Sequence, residues 1–206
     1  MSARIGADVA VAAPRGGVEQ ALRKAALVMG FALLTALGAQ VRIPLTPVPI
    51  TLQTFFVLLG GLMLGPRLGV SAQALYVALG AVGAPVFAGG ALGFAYLLGP
   101  TGGYLVGFVA AAWLVGQLAR GLDPKSPRAV WQVLGILAAG SIAIYVPGAY
   151  WLARVMGMGW WAALAKGVIR FLPGDALKVA LAASLWLRVG RSRQLHSIAG
   201  EGCADD

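Results

Sequence analysis

Charge is what this chain has least of: only 11% of its 206 residues are Asp, Glu, Lys or Arg. A soluble domain carries about 25%, because charge covers its surface. Acidic residues are scarcest, seven in all, and six of them fall near the termini or in the segment 120–128. The single cysteine, Cys203, excludes a disulfide framework or a cysteine metal cluster, and the single histidine, His196, makes no metal site. No G-x-x-x-x-G-K-[ST] phosphate loop occurs, so ATP is not hydrolysed by this chain. Neither a His/Glu zinc pattern nor a G-x-S-x-G elbow is present, which argues against a membrane hydrolase. No catalytic residue, metal or cofactor is therefore expected. The stretch through Gln20 lacks the apolar centre of a signal peptide, so the first apolar run is read as a retained span.

What the chain has instead is apolar surface. Hydrophobic residues make up 59% of it and the mean hydropathy is +0.82. The natural solvent for that excess is lipid. Its 30 glycines are about twice the ordinary share, and in a bilayer small residues let helices approach closely. Four-residue spacings at Gly61/Gly65, Gly65/Gly69 and Gly103/Gly107 fit that use. A net charge of +9 could point to nucleic acid, but the basic residues sit at the ends of apolar stretches, the pattern of cytoplasmic loops. Nucleic acid is not an expected partner; the bilayer is.

Hydrocarbon about 30 Å thick needs about 20 helical residues. Six spans are expected: 22–40, 52–64, 68–82, 102–119, 129–152 with a bend at Pro147-Gly148, and 172–188. The two runs at 52–64 and 68–82 are short, and a single re-entrant pair is the alternative. Between the first two spans, Pro44, Pro47 and Pro49 push their neighbours toward extended backbone. Non-helical backbone at membrane depth is tolerated only where it is buried or lines a cavity, so this segment reads as the wall of a site. Residues 84–100 form an uncharged, Gly- and aromatic-rich connection, and 154–171 reads as one interfacial amphipathic helix carrying Trp160 and Trp161. The organisation expected is a cytoplasmic, disordered tail over 1–21, a six-helix membrane domain over 22–190 and a cytoplasmic tail over 191–206. With both termini on one side, that side holds Arg4, Arg15, Arg23, Lys24, Arg67, Arg120, Lys125, Arg128, Arg188, Arg191 and Arg193; the other holds Arg42, Arg154, Lys166 and Arg170. The bias places both ends in the cytoplasm. The chain then belongs in a bacterial cytoplasmic membrane as a multi-pass protein.

An ionisable group inside a span costs about 2.5–3.5 kcal/mol on insertion. Asp175 is the one acid that falls inside a span, and Lys178 follows it by three residues, on the same helix face. Asp175 lies about 20 Å up the helix from Arg188, in the outer part of the membrane. A purely structural role remains open: Asp in a first turn complements the helix dipole and Lys at i+3 neutralises it. The functional reading is a carboxylate that accepts ligand N–H groups beside an ammonium that donates to an oxygen or pairs with an anion. With no second intramembrane acid, a multi-carboxylate cation site or proton relay is not expected. Gly99-Pro-Thr101-Gly-Gly103 reads as a helix entry capped by Thr101 rather than as a phosphate loop.

Four segments resemble the BioY family. They are Ile43-Pro-Leu-Thr-Pro-Val-Pro-Ile-Thr-Leu-Gln53-Thr, Gly80-Ala-Val-Gly-Ala-Pro-Val-Phe-Ala-Gly-Gly90, Gly99-Pro-Thr-Gly-Gly-Tyr-Leu-Val-Gly-Phe108 and Phe171-Leu-Pro-Gly-Asp-Ala-Leu-Lys178. The likeness covers about residues 25–188 in the family's order. It implies an all-α integral membrane fold with six transmembrane helices and short external lid segments. It also implies high-affinity capture of biotin, as the S component of an energy-coupling factor (ECF) importer. By resemblance Asp175 takes the ureido N–H groups and Lys178 an adjacent ligand oxygen. Phe87, Gly89, Tyr96 and Tyr104 cover the bicyclic ring, and Gln53 supplies polar contact. Some members hold the biotin carboxylate with polar groups near Gly89–Gly90 and in the fourth helix. Glycine stands at the former here, which leaves Arg42, Lys166 and Arg170 as the external cations. An Ala-x-x-x-Ala face, Ala32 and Ala36, matches the family's docking site for a transmembrane coupling subunit, although the spacing suits ordinary helix packing equally. Implied partners are that subunit and two ATPases; self-association is left open. An S component for another small vitamin, and a membrane enzyme using Asp175 and Lys178, are the competing readings.

Overall fold

A computed structural model describes residues 15–201, with side chains described from 17 to 190. In chain order it contains α1 (Arg15–Gln40), β1 (Arg42–Ile43), β2 (Ile50–Thr51), α2 (Gln53–Ala81), α3 (Phe94–Leu97), α4 (Gly102–Leu118), α5 (Ala129–Val155), α6 (Trp160–Leu164), a π-helical turn (Ala165–Ile169) and α7 (Leu172–Glu201). By length and composition, Gly17–Gln40, Gln53–Ala81 and Ala129–Val155 can each cross a membrane, and Gly102–Leu118 is a shorter apolar helix.

The helix count of α2 conceals a reversal. Gly65 sits at φ 74 and ψ −179, a region open to glycine alone, and Pro66 then opens a second arm with its pre-set φ. The arms fold back on each other. A side chain on Gly69 would meet the Gly61 backbone at 3.4 Å, and Gln53 Nε2 reaches Tyr76 Oη at 2.6 Å. In one straight helix those last two residues would lie about 35 Å apart. The runs 52–64 and 68–82 are thus two antiparallel helices, not one rod.

Around this hairpin, α1 and α4 pack on α2, α5 packs on α4, and α7 bridges α2 and α5. Glycine makes the close approaches. A Cβ on Gly107 would lie 2.8 Å from the Ile144 backbone, and one on Gly116 would lie 2.4 Å from Pro66 N. The core is aliphatic and aromatic, centred on Val57, Leu58, Tyr76, Val115, Leu137, Ile144 and Leu152. A polar contact joins α1 to α2 within it, from Gln73 Nε2 to Thr35 Oγ1 at 3.3 Å.

Several boundaries move from the sequence reading. α1 begins at Arg15, so residues 15–21 are helix rather than disordered tail, and 1–14 lie outside the described residues. At the other end helix continues to Glu201, and 202–206 lie outside them. α5 passes through Pro147 as one element and extends to Val155. The single amphipathic helix expected over 154–171 is instead the end of α5, a turn at Gly157 with φ 59, then α6 and the π-turn. Gly157 and Gly159 interrupt it. The proline stretch forms a two-strand antiparallel hairpin, with Arg42 opposite Thr51 and Ile43 opposite Ile50, and a cis Thr46–Pro47 peptide at its turn.

Candidate functional site

Three connecting segments converge on one end of the bundle and close a cavity. The β-hairpin contributes Val48, Pro49, Ile50 and Thr51; the 82–101 connection contributes Ala88, Tyr96 and Thr101. Phe171, after the π-turn, closes the third side, and α7 places Asp175 and Lys178 against it. The walls between are mostly apolar, and few groups in them can hold a polar ligand by direction.

Asp175 and Lys178 form the polar centre. Their side chains pair at 2.5 Å, both nearly shut from solvent. Lys178 Nζ also donates to Thr51 O at 2.6 Å and to Thr54 Oγ1 at 3.1 Å, so all three ammonium protons are engaged. Thr54 Oγ1 donates to Asp175 Oδ1 at 3.1 Å, while the Tyr145 hydroxyl donates to Asp175 Oδ2. Each carboxylate oxygen offers two lone pairs. Oδ2 therefore keeps one for a ligand donor, in a setting where charge-assisted bonds are strong.

The remaining residues named from sequence divide into two groups. Gln53 and Tyr96 line the cavity, as does Tyr104. Gln53 is braced at both ends of its amide: Nε2 donates to Tyr76 Oη, and Oε1 accepts from Thr51 Oγ1 at 2.9 Å. Tyr104 is fixed by donating to Gly167 O at 2.7 Å, an oxygen supplied by the π-turn. Phe87 and Gly89 do not line the cavity. Phe87 is wholly buried and stacks behind Tyr96, with ring centres 4.7 Å apart and planes 14° from parallel; it supports the wall from behind. Gly89 lies beneath the guanidinium of Arg42, where a Cβ would stand 2.4 Å from Cζ. Thr101 occupies the start of α4, yet its side chain makes no capping bond and faces the cavity.

Away from the site, Ala32 and Ala36 lie on the inner side of α1. Ala32 is 1% exposed and belongs to the core, and Ala36 packs partly against that core. The outward face of α1 is formed by Leu33 and Leu37 instead, 50% and 62% exposed.

Thr54, Tyr145, Tyr76 and Thr51 were missed. A lone hydroxyl in an apolar span satisfies itself within its own helix so often that it carries little signal. The one available clue was Thr51 and Thr54 bracketing Gln53 at the mouth of a helix.

Fold and cavity together define a class: a bundle of apolar, membrane-type helices with a polar-centred cavity beneath loops at one end. Comparison with known proteins narrows the class. The family model described as "BioY family" matches residues 10–194. A probable biotin transporter BioY of Pyrococcus horikoshii is 43% identical over 160 residues, covering 78% of this chain and 91% of that protein. The biotin transporter BioY of Thermotoga maritima is 40% identical over 159 residues, with 77% and 90% covered. Among solved structures, the S-component for biotin from an ECF-type ABC transporter superposes with a TM-score of 0.76 at 27% identity, covering 84% of this chain and 93% of that one. The chain belongs to the BioY family.

Proposed function

We propose that this chain captures biotin as the substrate-specific subunit of an ECF-type importer and carries it across the membrane. It is a transporter component and not an enzyme, since the family to which it belongs supplies binding subunits. The observation that carries the reading is the buried Asp175–Lys178 pair facing a cavity roofed by three loops. Asp175 Oδ2 takes a ureido N–H through its open lone pair. Lys178 turns toward a ligand oxygen by giving up its bond to Thr54, the longest of its three at 3.1 Å. Tyr96, Tyr104 and Phe171 enclose the bicyclic ring, and Gln53 holds the adjoining wall.

Six helical segments, α1, the arms 53–64 and 66–81, α4, α5 and α7, span the bilayer in this reading. The cavity then opens to the outside and both termini lie in the cytoplasm, in keeping with the basic bias of the loops. Release inward needs a transmembrane coupling subunit and two ATPases. With Ala32 buried, the coupling subunit meets the outer face of α1 around Leu33 and Leu37.

Binding of radiolabelled biotin to the purified protein tests the function, with saturable one-to-one uptake and no turnover expected. Asp175→Asn removes a charge-assisted hydrogen bond worth about 1.5–3 kcal/mol, so affinity should fall about 10- to 150-fold. Unchanged affinity would reject the assignment of Asp175.

A further inference from the structure

Arg42 does not itself line the cavity but stands beside it, on the hairpin whose residues 48–51 do, and has no ion-pair partner among the described residues. Its guanidinium lies face-on against Gly89, because Cζ, Nη1 and Nη2 would all be 2.4–2.6 Å from a Cβ at that position. Only glycine leaves that seat, and Gly89 also holds φ at +76. Both sides of the seat are anchored. Arg42 is laddered to Thr51, and Gln40 Nε2 donates to Phe87 O at 3.1 Å, fixing the turn that carries Gly89. Both sides of the seat border the cavity, since Thr51, across the ladder from Arg42, and Ala88, next to Gly89, line it. Among the described residues the only ion pair is Asp175–Lys178, and the guanidinium makes no hydrogen bond. Its side chain is exposed, and its N–H donors, five in a planar fork, remain free.

We infer that Arg42, seated on Gly89, binds the carboxylate at the far end of the ligand, while Asp175 and Lys178 hold its polar head. The assignment rests on biotin as the ligand. It follows from charge and position together. The Asp175–Lys178 pair is neutral as a unit, so an anionic ligand needs a cation elsewhere on the cavity rim. Thr51 joins the two ends: its carbonyl accepts from Lys178, and its strand partner is Arg42. A ligand lying along this strand meets the ion pair at one end and the guanidinium at the other. Planar bidentate pairing with a carboxylate is the geometry to which guanidinium is best suited. Lys166, within the π-turn, and Arg170, just after it, are exposed cations, and neither belongs to the hairpin that lines the cavity beside the ion pair.

The test is calorimetric titration of the purified protein with biotin and with biotinamide, which keeps the head and tail but loses the negative charge. Arg42→Ala should weaken biotin about tenfold or more and leave biotinamide within about twofold. Arg42→Gln should behave alike, and Lys166→Ala and Arg170→Ala should leave the biotin-to-biotinamide ratio at its starting value. Monodispersity and thermal midpoint in detergent report whether each variant is folded. Equal weakening of both ligands, or of neither, by folded Arg42 variants would overturn the role of Arg42 alone. Failure of the unaltered protein to bind biotin would instead remove the functional reading on which it rests.

Discussion

At the level of single residues, the site is a closed circuit before any ligand arrives. Asp175 receives Lys178, Thr54 and Tyr145, so the carboxylate is already aimed. Tyr145 matters here as an orienting group. Removing its hydroxyl strips a charge-assisted bond and frees Oδ2 to rotate, a loss of aim that costs the ligand's own hydrogen bond about 0.5–1.5 kcal/mol. Tyr145→Phe is expected to weaken biotin binding about 2- to 12-fold, and to lose most of that effect when Asp175 is already Asn. A double-mutant cycle on biotin affinity measures the coupling; additive losses would show that the tyrosine merely packs. Asp175 and Lys178 were legible in the sequence because a charge inside a span is expensive enough to need a reason. Tyr145 was not. Its neighbours Ile144 and Val146 are ordinary span residues, and its partner lies thirty positions away.

Among elements, the hairpin of α2 shows how far a local signal reaches. Gly65-Pro66-Arg67 marked a break between two apolar runs, and the break is a full reversal because Gly65 takes a conformation barred to other residues. Space is not the constraint, since no atom lies within 4 Å of a Cβ there. Gly65→Ala should therefore lower stability by about 1–3 kcal/mol from backbone strain alone, read as a depressed thermal midpoint in detergent. An unaltered midpoint would mean that the bend relaxes freely. The four-residue glycine spacings proved to have separate uses. Gly61, Gly69, Gly103 and Gly107 admit neighbouring backbone or side chains, whereas Gly65 turns the chain. The π-turn was not legible, because an added residue within a helix leaves no mark in hydropathy. Its product is the carbonyl of Gly167 that anchors Tyr104.

For the molecule as a whole, hydropathy and proline placement gave the order of helices and the three loops that meet over the site. Partner surfaces were harder to read. Small residues at four-residue spacing suit an inward packing face and an outward docking face equally, and Ala32 took the inward one. Topology has a built-in probe in Cys203, the sole cysteine. With a cytoplasmic C-terminus, a membrane-impermeant maleimide should label it in inside-out vesicles and spare it in intact cells. The reverse pattern would invert the proposed orientation and put the cavity on the cytoplasmic side.

The reversal at Gly65 also decides where the two free ends of that hairpin stand. Gln53 begins one arm and Tyr76 lies near the close of the other, and a single 2.6 Å bond clasps them at the rim of the cavity. The fulcrum is remote from that clasp, so a guest that prises the two apart would splay them like the tips of tweezers while the pivot stays still. Local opening of the vestibule can in this way proceed without disturbing the opposite end of the protein.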